Sequence, residues 1–113
     1  MTEYACYFFI NKRLKMSSGK IGAQVSHGTR YLCRNIDNQK PFVRESWNNW
    51  ENGLSRTLLL YAKDEDEMEE LHNRYPSHKV IDAGLTQVPA NSFTVLALFP
   101  KEYIPKEFPN KLV

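Results

Sequence analysis

Cysteine is scarce in this 113-residue chain, and the two present, Cys6 and Cys33, sit in apolar stretches with no framework spacing. A disulfide-stapled scaffold is therefore excluded. No apolar run approaches the ~18 residues that a membrane span requires. Met1 to Glu3 leads directly into an apolar stretch, without the basic start and small-residue cleavage site of a secretory leader. These absences together predict a cytoplasmic location under reducing conditions, with no membrane contact. Repeats and low-complexity tracts are missing too. The three histidines, His27, His72 and His78, do not stand at ligand spacing, so no metal and no cofactor is expected. A last absence is local: the segment from Ser17 to Arg34 contains no Asp or Glu.

What is present is ordinary in amount and uneven in placement. With 42% hydrophobic, 25% charged and 12% aromatic residues, residues 1–113 are expected to fold as one globular domain with one core. The net charge is only +2, yet residues 1–56 carry nine Lys or Arg against four acids, and residues 57–113 six against nine. A basic half on a near-neutral protein is the usual footprint of a polyanionic partner, although solubilising charge distributed by chance has the same appearance.

The elements alternate. Tyr4 to Ile10 (YACYFFI) is almost wholly apolar, as a central strand buried on both faces should be. A basic loop, Asn11 to Met16, precedes Ser17-Ser18-Gly19, an N-cap for a helix from about Lys20 to about Arg34. Phe42 to Asn52 reads as a short second helix stopped by Gly53. Arg56 to Ala62 is a second strand, and Asp64 opens an acid-led third helix that ends at Pro76. His78–Ile81 and Phe93–Leu98 supply two more strands, and the proline-containing tail from Pro100 reads as an irregular extension. The sum is a single-domain α/β fold with a mixed sheet.

Helical geometry sorts the first long helix into faces. With Lys20 at zero and about 100° per residue, Gln24, His27 and Tyr31 all fall within an arc of roughly 60° around it. Arg30 and Arg34 flank that stripe. Ile21, Val25 and Leu32 form the core face, and Gly22, Gly28 and Thr29 are small enough to pack on the sheet. A solvated polar face would account for the stripe. However, an exposed helix surface normally carries Glu–Lys pairs, and a lysine in the first turn opposes the helix dipole. Lys20 beside free backbone amides has instead the character of an anion site.

The second informative stretch is 80-VIDAGLTQVPANSFTVLAL-98. Asp82 ends an apolar strand and precedes an Ala83-Gly84 turn, a position where α/β proteins place reactive groups. A turn carboxylate bonding its own backbone would occupy the same position. Thr94, inside the last strand, is compatible with a simple β-former.

GKIGAQVSH, together with IDAGLTQ and TVLAL, resembles the archaeal and eukaryotic type of peptidyl-tRNA hydrolase, the second structural class of that activity. Order and spacing agree from Tyr4 to the C-terminus. The resemblance implies a four-stranded mixed sheet flanked by helices, often a homodimer, and hydrolysis of the ester joining a peptide to the 3′ end of tRNA. It also implies a surface cleft gathering Lys20, Gln24, His27, Asp82, Thr86, Gln87 and Thr94. Val25 stands where the family usually has cysteine, and Val88–Ser92 departs from the usual Ala-Pro-Gly-containing loop.

Ester hydrolysis needs an oriented water, a stabilised oxyanion and a proton for the leaving oxygen. Asp82, with the Thr86 hydroxyl, is suited to the water, and Lys20 to the oxyanion or the terminal phosphate. His27 is suited to general acid or to orienting a neighbour. Lys20, His27, Asp82 and Thr86 are thus the expected catalytic set, with Gln24, Gln87 and Thr94 binding substrate. Lys15, Arg30 and Arg34, joined by Lys12 and Arg13, would form a basic rim for tRNA phosphates; no DNA partner is expected. Trp47 and Trp50 would stack on unpaired bases or anchor the short helix. Two further readings stay open: a non-catalytic RNA- or protein-binding module on the same fold, and an enzyme acting on a different aminoacyl ester.

Overall fold

The computed structural model describes residues 2–85 and 87–113. Its centre is β1 (Tyr4–Asn11). This strand pairs in parallel with β2 (Arg56–Ala62) and antiparallel with β4 (Ser92–Leu98), which pairs antiparallel with β3 (Ser77–Asp82). The order β2-β1-β4-β3 leaves β3 at an edge. A parallel pair needs a crossover, and here α1 (Ser18–Asn35) and α2 (Pro41–Glu51) provide it.

The unbroken apolar sequence of β1 has its cause in two cores. Cys6, Phe8 and Ile10 face Ile21, Leu32, Val43 and Trp47 from α1 and α2. Ala5, Tyr7 and Phe9 face the opposite way, toward Met68 and Leu71 of α3 (Glu65–Arg74). The expected mixed sheet is present, with additions. The tail is more ordered than its prolines suggest: Lys101–Glu102 form β5 against the start of β1, and Leu112 bridges Leu60. Phe108 then sets its ring edge-on to Tyr7, Phe9 and Tyr75, closing the second core.

Local departures have local reasons. Helix α1 begins at Ser18, because the Ser17 side chain accepts from the Lys20 backbone N–H at 3.2 Å. Gly53 is not the left-handed cap expected; Asn52 caps α2, and Ser55 takes the positive φ of 51°. Of the three small residues of α1, only Gly28 meets the sheet, where a Cβ would lie 3.1 Å from that of Ala97. Gly22 and Thr29 are exposed. They lie about 180–200° from Lys20, whereas the buried residues of α1 span only about 0–120°.

One irregularity shapes the site. Val80 pairs with Val95, but Ile81 pairs with Phe93, so Thr94 is an extra residue, a β-bulge in β4. Phe93 and Val95, two apart, consequently face opposite cores. Thr94 is turned toward α1.

Candidate active site

A cleft of about 730 Å³ runs between α1 and the edge strand β3. Near its head, Lys20 Nζ donates to Asp82 Oδ1 at 2.8 Å. Gln24 Nε2 donates to the same oxygen at 3.1 Å, and the Gly84 backbone N–H donates to Oδ2 at 2.7 Å. Both charged side chains are about nine-tenths buried. The hydrogen bond from the Lys20 ammonium, chiefly, holds the Asp82 carboxyl below its usual range; the Gly84 amide adds to this, and burial opposes it. Asp82 is therefore the turn carboxylate its position allows, and it is at the same time the buried partner of Lys20.

Gln24 is held from its other end. The Thr94 hydroxyl, at 0% exposure, donates to Gln24 Oε1 at 2.6 Å and lies 3.1 Å from the Val80 carbonyl. A relay thus runs from the β4 bulge through Gln24 to Asp82 and Lys20. Thr94 has no surface of its own in the cleft and reaches it only through Gln24.

The loop after β3 is fastened at two points. The Asn91 backbone N–H donates to the Asp82 carbonyl at 2.7 Å, closing the 83–90 excursion. Gly84, at φ +83°, brings its backbone so near that of Ala90 that a Cβ would lie 2.5 Å away. Gln87, itself at φ 46°, accepts from the Ser17 N–H at 2.9 Å and donates to Ser17 Oγ at 2.7 Å, pinning the loop to the start of α1. Thr86, the remaining residue expected here, lies outside the described residues.

The polar stripe of α1 divides along its length. Lys20 and Gln24 are buried at the head of the cleft. His27 lines the cleft but is exposed, about 10 Å further along the axis from Lys20. Arg30 and Arg34 also line it. Lys15, by contrast, borders a separate depression with Lys12, Met16, Ile21 and Tyr61, and Arg13 is ion-paired with Glu65 of α3. The basic rim therefore comes from the helix and not from the loop before it. The tryptophans are anchors: Trp47 is buried in the first core, and Trp50 Nε1 donates to the Arg56 carbonyl at 2.8 Å.

Sequence reasoning passed over two features. Ser17 figured only as a cap, although it also ties down Gln87. Tyr31 stacks on His78 of β3 with ring planes 8° apart, and both rings line the cleft; no short-range pattern links residues on different elements. No serine or cysteine is among the described residues lining the cleft. The Cys6 thiol is buried under the sheet, where desolvation pushes it up to about 12. A carboxylate–ammonium pair on the wall of an open cleft is suited to orienting water and stabilising an oxyanion.

No helix among the described residues is long and apolar enough to cross a membrane. The family model for "Peptidyl-tRNA hydrolase PTH2" matches residues 4–106. A peptidyl-tRNA hydrolase of Thermococcus sibiricus is 31% identical over 99% of this chain and 94% of its own length. A probable peptidyl-tRNA hydrolase 2 of Dictyostelium discoideum is 35% identical over 87% of this chain and 46% of its own. A mitochondrial peptidyl-tRNA hydrolase 2 of Bos taurus is 32% identical over 87% and 56%. By fold, motif placement and these matches, the chain belongs to the peptidyl-tRNA hydrolase PTH2 family.

Proposed function

We propose that this protein hydrolyses the ester between a peptide and the 3′ end of tRNA, returning both to translation. The observation that carries the mechanism is the buried Lys20–Asp82 pair, whose carboxylate also accepts from Gln24, at the head of an open cleft with arginines along one side. Held below the ordinary carboxylate range, Asp82 stays ionised at neutral pH and acts by accepting from water and aiming it rather than as a strong base. The Thr86 hydroxyl is assigned the second contact to that water. Water oxygen attacks the acyl carbon, and negative charge grows on the carbonyl oxygen, which the Lys20 ammonium stabilises. The tetrahedral adduct then collapses by breaking the acyl C–O bond to the ribose oxygen; the water's proton passes to solvent, and the leaving ribose oxygen takes up a proton from His27. Gln24 and Thr94 position the pair, and Gln87 holds the loop in register. Arg30 and Arg34 contact phosphate, which carries affinity without reading sequence. A cytoplasmic location and a homodimer belong to the same reading.

The test is release of labelled peptide from N-blocked aminoacyl-tRNA by wild type, Asp82→Asn and Lys20→Ala. Each substitution is expected to lower kcat by about 10²- to 10³-fold, the scale for loss of one preorganised transition-state contact. Circular dichroism separates this from unfolding. That control matters, since breaking a buried ion pair costs about 3–5 kcal/mol. A folded wild type that binds tRNA without releasing peptide would leave a binding module. Turnover untouched by either change would place the chemistry elsewhere.

A further inference from the structure

The residues lining the cleft are segregated along its length. Past Lys20 toward the C-terminal half of α1 lie Arg30, Arg34 and the Tyr31–His78 stack. Around Asp82, on the turn that follows it, lie Ala83 and Leu85, both exposed, Leu85 at 89%. Asp82 is the sole acid among the described lining residues. One arm of the cleft is thus cationic and aromatic, and the other, past the Lys20–Asp82 pair, is apolar.

Resting on the hydrolase reading, we infer that the cleft takes its substrate in one direction: the single-stranded 3′ end of the RNA along the Tyr31–His78 arm, and the acyl side chain against Ala83 and Leu85. Tyr31 lies eleven residues past Lys20, about 16 Å along the helix. His78 lies four residues before Asp82, about 13 Å along the strand. Both are too far to touch the nucleoside whose ester is cleaved. The stack therefore meets bases that precede it in the RNA chain. Only an unpaired base has a π-face to offer, since duplex bases already stack on one another. Tyr31, 42% exposed, presents the ring, while Arg30 and Arg34 reach the phosphates on either side. The stacking surface thus comes from a tyrosine and a histidine on two different elements, and not from Trp47 and Trp50. At the other end, exposed Leu85 gains by covering apolar acyl surface.

Two readouts test this. The first is binding of an uncharged single-stranded oligonucleotide with the tRNA 3′ sequence. The second is the ratio of kcat/KM for N-blocked phenylalanyl to N-blocked alanyl esters of one tRNA. Tyr31→Ala should weaken the oligonucleotide about tenfold and leave the acyl ratio where it was. Leu85→Ser should lower the acyl ratio about fivefold and leave oligonucleotide binding where it was. Arg34→Ala should reduce the salt slope of oligonucleotide binding by about one. All three side chains are exposed, so the variants are expected to fold. Exchange of the two effects would reverse the direction, and readouts unmoved by their own variants would overturn the assignment. A wild type that binds the oligonucleotide but releases no peptide would overturn the acyl arm together with the hydrolase reading.

Discussion

Thr94→Val removes one hydroxyl and keeps the shape and β-branching of the side chain. Thr94 is fully buried, so substrate never touches it, and its contact with the site is the 2.6 Å hydrogen bond to Gln24 Oε1. Losing a neutral buried hydrogen bond costs about 1 kcal/mol, and leaving Gln24 Oε1 unsatisfied costs about 1–3 kcal/mol. The added methyl offsets part of this. A net loss of about 2 kcal/mol follows, which lowers Tm by about 8–12 °C in a domain of this size. The functional effect travels through Gln24: with one end released, its amide no longer holds Asp82 Oδ1 in a single orientation. We expect kcat on N-blocked aminoacyl-tRNA to fall about 10- to 100-fold with KM nearly constant, because misalignment of a positioned group acts on the chemical step. Thr94→Ser retains the hydroxyl and should restore kcat while staying somewhat destabilised. Steady-state kinetics and thermal unfolding on the three proteins decide the matter. Wild-type kcat in the valine variant, or equal impairment in the serine variant, would refute a role exerted through Gln24.

Three further outcomes follow from the same structure. Asp82 has a folded-state pKa below its unfolded value, so its pairing stabilises the protein above the unfolded carboxylate range and that contribution is lost as pH falls through the folded value. The stability gap between wild type and Asp82→Asn, measured by urea unfolding, should be full at pH 7 and close as the solution is acidified. A gap constant with pH would contradict the pairing. Gly84→Ala combines a φ of +83° with a Cβ placed 2.5 Å from the Ala90 backbone, so the loop must shift; turnover should drop by at least tenfold, with circular dichroism unchanged over the core. A fully active Gly84→Ala would mean that the loop path is not needed. Cys6 is buried with its thiol raised to about 12, whereas Cys33 is exposed. Mass spectrometry after brief alkylation should therefore show one adduct on the native protein and two in denaturant. Rapid double labelling of the native state would count against the core as described.

How much of this was legible beforehand depends on range. The faces of α1 and the burial of β1 come from periodicities of about 3.6 and 2 residues, which side-chain chemistry along a short window displays directly. The Ser17 cap, the acid-led start of α3 and Asp82 at a strand end are equally local. The family motifs brought Lys20, Gln24, Asp82, Gln87 and Thr94 together on paper; in the structure four of them are hydrogen-bonded in series, and Gln87 is tied to Ser17 at the start of α1.

The sequence by itself determined the elements, the apolar faces they must hide, and a set of polar residues too unusual for a plain solvated helix. Tertiary structure alone decided which of those polar residues became a site. Lys20 meets Asp82 across 62 positions and Gln24 meets Thr94 across 70. Such meetings depend on which strands pair and in what register, and no local periodicity encodes that. The bulge that turns Thr94 toward α1 is a property of the β3–β4 pair rather than of either strand. Likewise Lys15 and the two tryptophans had suitable chemistry but were carried to other surfaces. Tyr31 and His78, which no sequence pattern linked, were laid face to face because α1 packs along the edge strand.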